Sequence, residues 1–145
     1  MPSFQVIEGS STEWNKFLKN SLRYDFYHTQ FYHSLENDGV PTMLVATITE
    51  NFIALPLIIR TNEGSEYRDA TSVYGYCGPI SNLSFEIIDT ELMNYFKDQL
   101  RDYFKENNII SVFSRLHPLL DQTNVFEGFG ELVDLNKTVS IDLTI

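Results

Sequence analysis

The stretch Asp69-Ala70-Thr71-Ser72-Val73-Tyr74-Gly75-Tyr76-Cys77-Gly78-Pro79-Ile80 holds the densest set of ligand-contacting residue types in the chain. Tyr74 and Tyr76 bracket Gly75, and Gly78-Pro79 follows. Glycine lets a backbone approach a bound molecule closely, and proline fixes the direction in which the chain leaves. Tyrosine supplies flat apolar area with a hydroxyl at its end. Two arrangements satisfy this pattern. In one, a loop turns both rings toward a ligand; in the other, a strand ends in a tight turn with both rings in the core. A second stretch, Phe113-Ser114-Arg115-Leu116-His117-Pro118-Leu119-Leu120, brings a cation. Polar groups just past the C-terminal end of a strand often line a ligand crevice. The guanidinium of Arg115 matches a carboxylate or phosphate, unless one of the chain's many acids pairs with it.

Other chemistry finds little support. The chain contains no GxSxG, Walker loop, GxGxxG or HExxH pattern. His28 and His33 are not spaced as i,i+4 ligands on one helix face, and His117 is remote, so no metal site is expected. All three histidines read as partly exposed packing groups. Cys77 is the only cysteine, which excludes an intrachain disulfide and a Cys-rich zinc site. It reads as a buried, inert thiol rather than a nucleophile. Asp69 is a conceivable base, but an aspartate at a strand entry reads first as a turn or cap residue.

The whole chain bounds these readings. At 145 residues it suits one domain, residues 1–145, and 43% hydrophobic residues supply a core. Its net charge is −10. Such a surface repels a phosphate backbone, so general binding of DNA or RNA is disfavoured, although a small local basic pocket is compatible with it. Residues 1–8 carry no basic leader pattern, and no run approaches the ~20 apolar residues of a transmembrane segment. With a single cysteine, the cytoplasm is the simplest compartment.

The elements that must position these stretches are those of a mixed α/β (α+β) domain. Strands are expected at residues 4–7, 41–49, 52–60, 70–76, 109–113, 130–134 and 138–143, with the strand at 109–113 buried. Glu50-Asn51 reads as a hairpin turn, and Pro56 predicts an edge or bulge. Residues 77–86 read as a loop, and a short helix is expected before residue 130. A first helix begins near Trp14, and a second covers residues 29–35. The helix predicted over 87–107 has the clearest pattern. Ile88, Leu92, Tyr95, Phe96, Leu100, Tyr103 and Phe104 share one face, opposite Lys97, Asp98, Arg101, Asp102 and Lys105. Three consecutive antiparallel strands, a long helix and a returning strand give a mixed, mostly antiparallel sheet flanked by helices. This is the element order of GNAT-like acyltransferases, although element order alone does not establish function.

Four features together resemble the FemAB family of aminoacyltransferases, which add amino acids to peptidoglycan precursors from aminoacyl-tRNA. They are the Trp14 helix followed by Phe26-Tyr27-His28-Thr29-Gln30-Phe31-Tyr32, the Leu55-Pro56-Leu57 strand with Arg60, Ser72-Val73-Tyr74-Gly75-Tyr76-Cys77-Gly78-Pro79, and Val112-Phe113-Ser114-Arg115-Leu116-His117-Pro118. The resemblance spans nearly the whole chain and corresponds to the first of the family's two tandem GNAT-like domains. It implies a second GNAT-like domain and a muropeptide or other small-molecule substrate carrying an amine. It also implies substrate contacts from Tyr74, Gly75, Tyr76, Gly78, Arg115 and His117. No cofactor is expected in this domain; the donor of a complete enzyme would be aminoacyl-tRNA or acyl-CoA. A free-standing acyl-CoA-dependent enzyme of this kind has a glycine-rich pyrophosphate loop before its long helix. Here that stretch is Gly78-Pro79-Ile80-Ser81-Asn82-Leu83-Ser84-Phe85, without the row of glycines. Two alternatives stand beside the FemAB reading: a free-standing acyl-CoA-dependent N-acyltransferase, and a non-catalytic binding domain of the same fold.

Overall fold

The computed structural model describes residues 1–144. Alternating and β-branched runs form β1 (Ser3–Glu8), β2 (Val40–Ile48) and β3 (Asn51–Thr61), followed by β4 (Arg68–Thr71), β5 (Ile80–Ser81) and β6 (Ile109–Phe113). They make a six-stranded sheet in the order β1-β2-β3-β4-β6, with β5 also paired to β3. The neighbours are antiparallel except β4 and β6, which run parallel. A parallel pair requires a crossover connection. The connection includes α3 (Thr90–Glu106).

Helices cover both faces of the sheet. On one side Leu92, Phe96, Leu100 and Phe104 of α3 recur every fourth residue and pack against Leu44, Ala46, Leu55 and Leu57. On the other, Trp14 and Leu18 of α1 (Glu13–Asn20) pack against Met43, Val45, Phe52 and Ala54. Strands β2 and β3 therefore read as nearly continuous apolar runs, because neither face meets water. Trp14 is fully buried, and its Nε1 donates to the carbonyl of His28 at 2.9 Å. That bond ties α1 to a short 3-10 turn (Phe26–His28) and to α2 (Gln30–Ser34) behind it.

Pro56 sits inside β3 without breaking its register, opposite Met43. Phe52 N is bonded to Asn82 Oδ1 on the side away from β2, and strand alternation points the Pro56 nitrogen the same way. There β5 pairs with Ile53 and Ala54, while β4 begins only at Ile58. The missing donor falls in the gap between two partners, an edge-like point within a central strand.

Several elements differ from the sequence expectation. The β2–β3 turn is centred on Thr49-Glu50, where Thr49 takes φ 59°. Strand β4 begins at Arg68 and ends at Thr71, short of residue 76. Gly75, at φ 105°, bends the chain out of strand geometry. The expected loop 77–86 contains β5 and leads into a 3-10 turn at Phe85–Ile87. Helix α3 starts only at Thr90, where Asp89 Oδ1 accepts from Leu92 N at 2.8 Å and caps it. Strand β6 is not buried: it ends the sheet, and only Ile109 of its five residues is covered. The strands expected at 130–134 and 138–143 do not form, since no described strand pairs with them; residues 131–144 carry no secondary structure. The short helix expected before them is a 3-10 turn at Thr123–Phe126.

Candidate functional site

The two stretches singled out in the sequence are brought together by backbone bonds. Ser72 N donates to Phe113 O at 2.8 Å, and Cys77 N to Arg115 O at 3.1 Å. Arg115 N donates to Ser72 Oγ at 3.0 Å. These bonds lay the loop after β4 along the segment that leaves β6. At Gly75 a Cβ would stand 2.2 Å from Cε1 of Tyr27, so the absence of a side chain lets that ring pack on the loop. Gly78, at φ 72°, is closed in by Gln122, whose Oε1 would lie 2.3 Å from an added Cβ.

The loop displays its tyrosines. Tyr74 is 84% exposed and Tyr76 38% exposed. Arg115 Cζ lies 5.9 Å from the centroid of the Tyr76 ring, within cation–π distance. Tyr27 meets Tyr76 edge-on at 6.2 Å and Tyr32 at 5.5 Å, and Phe26 lies 4.0 Å from Tyr27. Tyr32 Oη donates to Tyr74 O at 2.9 Å. The result is an open aromatic surface with one cation. Among the described residues no carboxylate forms an ion pair with Arg115. Phe26, Tyr27 and Tyr32 were not picked out as site residues from the sequence. The aromatic density of residues 26–32 was the available signal.

Beneath this surface lies a buried clamp. His117 is 8% exposed. Its Nδ1 accepts from Leu119 N at 3.2 Å, which leaves Nε2–H to donate to Asp25 Oδ2 at 2.8 Å. Burial opposes the charge of Asp25, but hydrogen bonds from His117 and Phe26 N outweigh it and hold the carboxyl below its ordinary pKa. His28 accepts from Asp25 N at its Nδ1 and donates through Nε2 to Cys77 O at 2.9 Å. Burial lowers its pKa from 6.5 to about 4, and does the same for His33. Both are fully buried and neutral, rather than partly exposed as the sequence suggested. Gln122 completes the clamp. Its Nε2 donates to Pro79 O at 2.6 Å and Cys77 O at 3.2 Å, and its Oε1 accepts from His117 N at 2.6 Å.

This geometry sorts the candidate residues. Tyr74 and Tyr76 are exposed, and the half-buried Arg115 lies over the Tyr76 ring. Gly75 and Gly78 shape the loop. The ring nitrogens of His117 are both engaged in holding it. Cys77 is wholly buried, and burial pushes its thiol pKa far up, away from nucleophilic chemistry. Asp69 is held by Arg60 through a bidentate pair of 2.7 and 2.9 Å, which occupies the carboxylate a base would use.

No family model matches the chain, and no curated protein matches it in sequence. A solved structure of a ribosomal-protein-alanine N-acetyltransferase from Brucella melitensis biovar Abortus 2308 aligns with a TM-score of 0.53. The alignment covers 98% of this chain and 100% of that one, at 14% identity. The chain has a GNAT-like fold. A likeness at this identity carries the fold alone.

Acyl-CoA is the donor associated with the GNAT-like fold, and the residues before α3 do not fit its pyrophosphate. Ile80 and Ser81 are committed to β3, and Leu83 N is taken by Ser81 Oγ at 3.0 Å. The N-terminus of α3 is capped by the Asp89 carboxylate, and Glu91 stands in its first turn. A phosphate would meet negative charge where a helix dipole would otherwise welcome it. The nearby cleft measures about 100 Å³, and its one cation, Arg23, shares the lining with Glu86 and Asp121. Larger hollows lie elsewhere, along α3 and β6 and beside β1. The aromatic surface is nonetheless the stronger candidate, because there exposed rings meet a guanidinium that forms no ion pair among the described residues. No helix among the described residues is long and apolar enough to cross a membrane.

Proposed function

We propose that this chain is the acceptor-recognising domain of an N-acyltransferase, with Tyr74, Tyr76 and Arg115 as its contact surface. The observation that carries this reading is the Arg115 guanidinium, which lies over the Tyr76 ring without a carboxylate partner among the described residues. Such a surface suits a ligand with an anionic group beside a flat or sugar-like one. A peptidoglycan-precursor-type acceptor, with its carboxylates and diphosphate, meets that description, and the FemAB resemblance of the same segments supports it. Acyl transfer to an amine requires the amine to lose a proton and a developing oxyanion to be stabilised. Asp25 and His117 of the buried clamp are bonded to each other. The domain's contribution is therefore to hold the acceptor in position, with an aminoacyl donor held by a second GNAT-like domain.

A second reading is a free-standing acyl-CoA-dependent N-acyltransferase. It is favoured by the alignment over the whole length of an N-acetyltransferase and opposed by the acid-capped start of α3. A thermal-shift screen separates the two, because a ligand that binds only the native state raises the melting temperature. A shift with a UDP-linked muropeptide that is lost in Tyr76→Ala supports acceptor recognition. A shift with acetyl-CoA alone overturns it in favour of the second reading.

A further inference from the structure

Three segments of the chain, residues 22–23, 81–86 and 120–121, enclose a small cleft. Its volume is about 100 Å³, roughly that of three waters. Ser81, Phe85 and Leu120 of its lining are buried. Leu22 N donates to Ser81 O at 2.8 Å and fixes the first wall against β5. Asp121 takes φ 47°, a left-handed backbone that aspartate adopts more readily than most residues.

Arg23 shares this lining with Glu86 and Asp121, yet it forms an ion pair with neither among the described residues. The space between the opposite charges is open to a molecule that carries both signs. A free anion would meet two carboxylates there, on a chain whose net charge is −10. A zwitterion is neutral overall and escapes that repulsion. Its carboxylate matches the Arg23 guanidinium, and its ammonium matches the two acids. The volume admits few heavy atoms, which selects a small side chain or none.

We propose that this cleft binds a small free α-amino acid, with its carboxylate on Arg23 and its ammonium on Asp121 and Glu86. Arg23 lies two residues before Asp25, and Asp121 directly precedes Gln122. A ligand held at both ends therefore joins the two arms of the buried clamp. This inference is independent of what binds at the aromatic surface.

An amide NMR titration with glycine tests it, with methylamine and acetate as probes of each charge alone. The expected result is a saturable shift at Arg23, Ser84 and Asp121. Each half-ligand is expected to bind at least ~10-fold more weakly than glycine, because it lacks one charge-assisted contact. Arg23→Gln and Asp121→Asn are expected to weaken glycine binding by at least ~10-fold. Both positions are exposed, and asparagine tolerates the left-handed backbone, so both variants keep the fold. Absence of saturation up to ~50 mM glycine would overturn the proposal. So would acetate binding as tightly as glycine, or glycine binding unaltered in either variant.

Discussion

Gln122→Ala removes the residue on which the candidate loop is folded. Gln122 is 1% exposed, and its amide joins Pro79 O, Cys77 O and His117 N. Cys77 O keeps its bond from His28 Nε2, so truncation orphans two groups, Pro79 O and His117 N. A buried polar group left unpaired costs about 1–3 kcal/mol, giving a range of about 2–6 kcal/mol. Water entering the vacated space satisfies part of this, and the expected loss is about 3 kcal/mol. With a urea slope of about 2 kcal/mol per molar, the midpoint falls by about 1.5 M. The assay is urea unfolding followed by fluorescence of Trp14, the single and fully buried tryptophan. Gln122→Glu is the control. It keeps the size but sets carboxylate oxygens against two carbonyls, so its loss should be at least as large. A loss below about 1 kcal/mol for Gln122→Ala would show that the bonds do not hold the loop.

Three further outcomes follow from particular contacts. Acid should destabilise the fold well above the carboxylate range, because burial lowers His28 and His33 from 6.5 to about 4. Above pH 6.5 both states are neutral and the stability is fully present. As pH falls toward 4 the unfolded chain takes up protons first, and up to about 3 kcal/mol is lost for each residue. Urea midpoints measured at steps between pH 7.5 and 4.5 check this, and a flat profile from pH 7 to 5 would contradict it. Gly75→Ala should cost about 1–3 kcal/mol and displace the Tyr27 ring, because an added Cβ would stand 2.2 Å from it and φ is 105°; unfolding curves and the Tyr27 ring resonances report both effects. Asp69→Asn should lower stability by about 1 kcal/mol through its partly exposed pair with Arg60 and leave acceptor binding unchanged; a calorimetric titration in which it abolished binding would place Asp69 in the site after all.

The sequence made the layers legible where periodicity was strong. The four-residue recurrence of Leu92, Phe96, Leu100 and Phe104 is the face that α3 buries, and the two long runs at 41–49 and 52–60 are the central hairpin. Periodicity does not say whether a strand has two neighbours. Residues 109–113 look like a core strand, yet they end the sheet. The alternation in 138–143 is likewise strand-like without a described partner. The candidate surface was half legible. Tyr76 and Arg115 stand together because local bonds zip residues 72–77 to 113–115. The contact between Asp25 and His117 joins residues 92 apart. No local pattern could reveal that the histidine serves the loop's architecture, and only the aromatic density of residues 26–32 hinted that Tyr27 and Tyr32 join the surface.

On the proposed function, the exposed aromatic surface holds the acceptor and the start of α3 does not hold an acyl-CoA. The most direct test is an amide NMR titration of the chain, first with a UDP-linked muropeptide and then with acetyl-CoA. The muropeptide is expected to shift resonances of Tyr74, Tyr76 and Arg115, and acetyl-CoA to leave Asp89 to Met93 unmoved. Saturable shifts at Asp89 to Met93 with acetyl-CoA, with the tyrosine loop silent to the muropeptide, would contradict it.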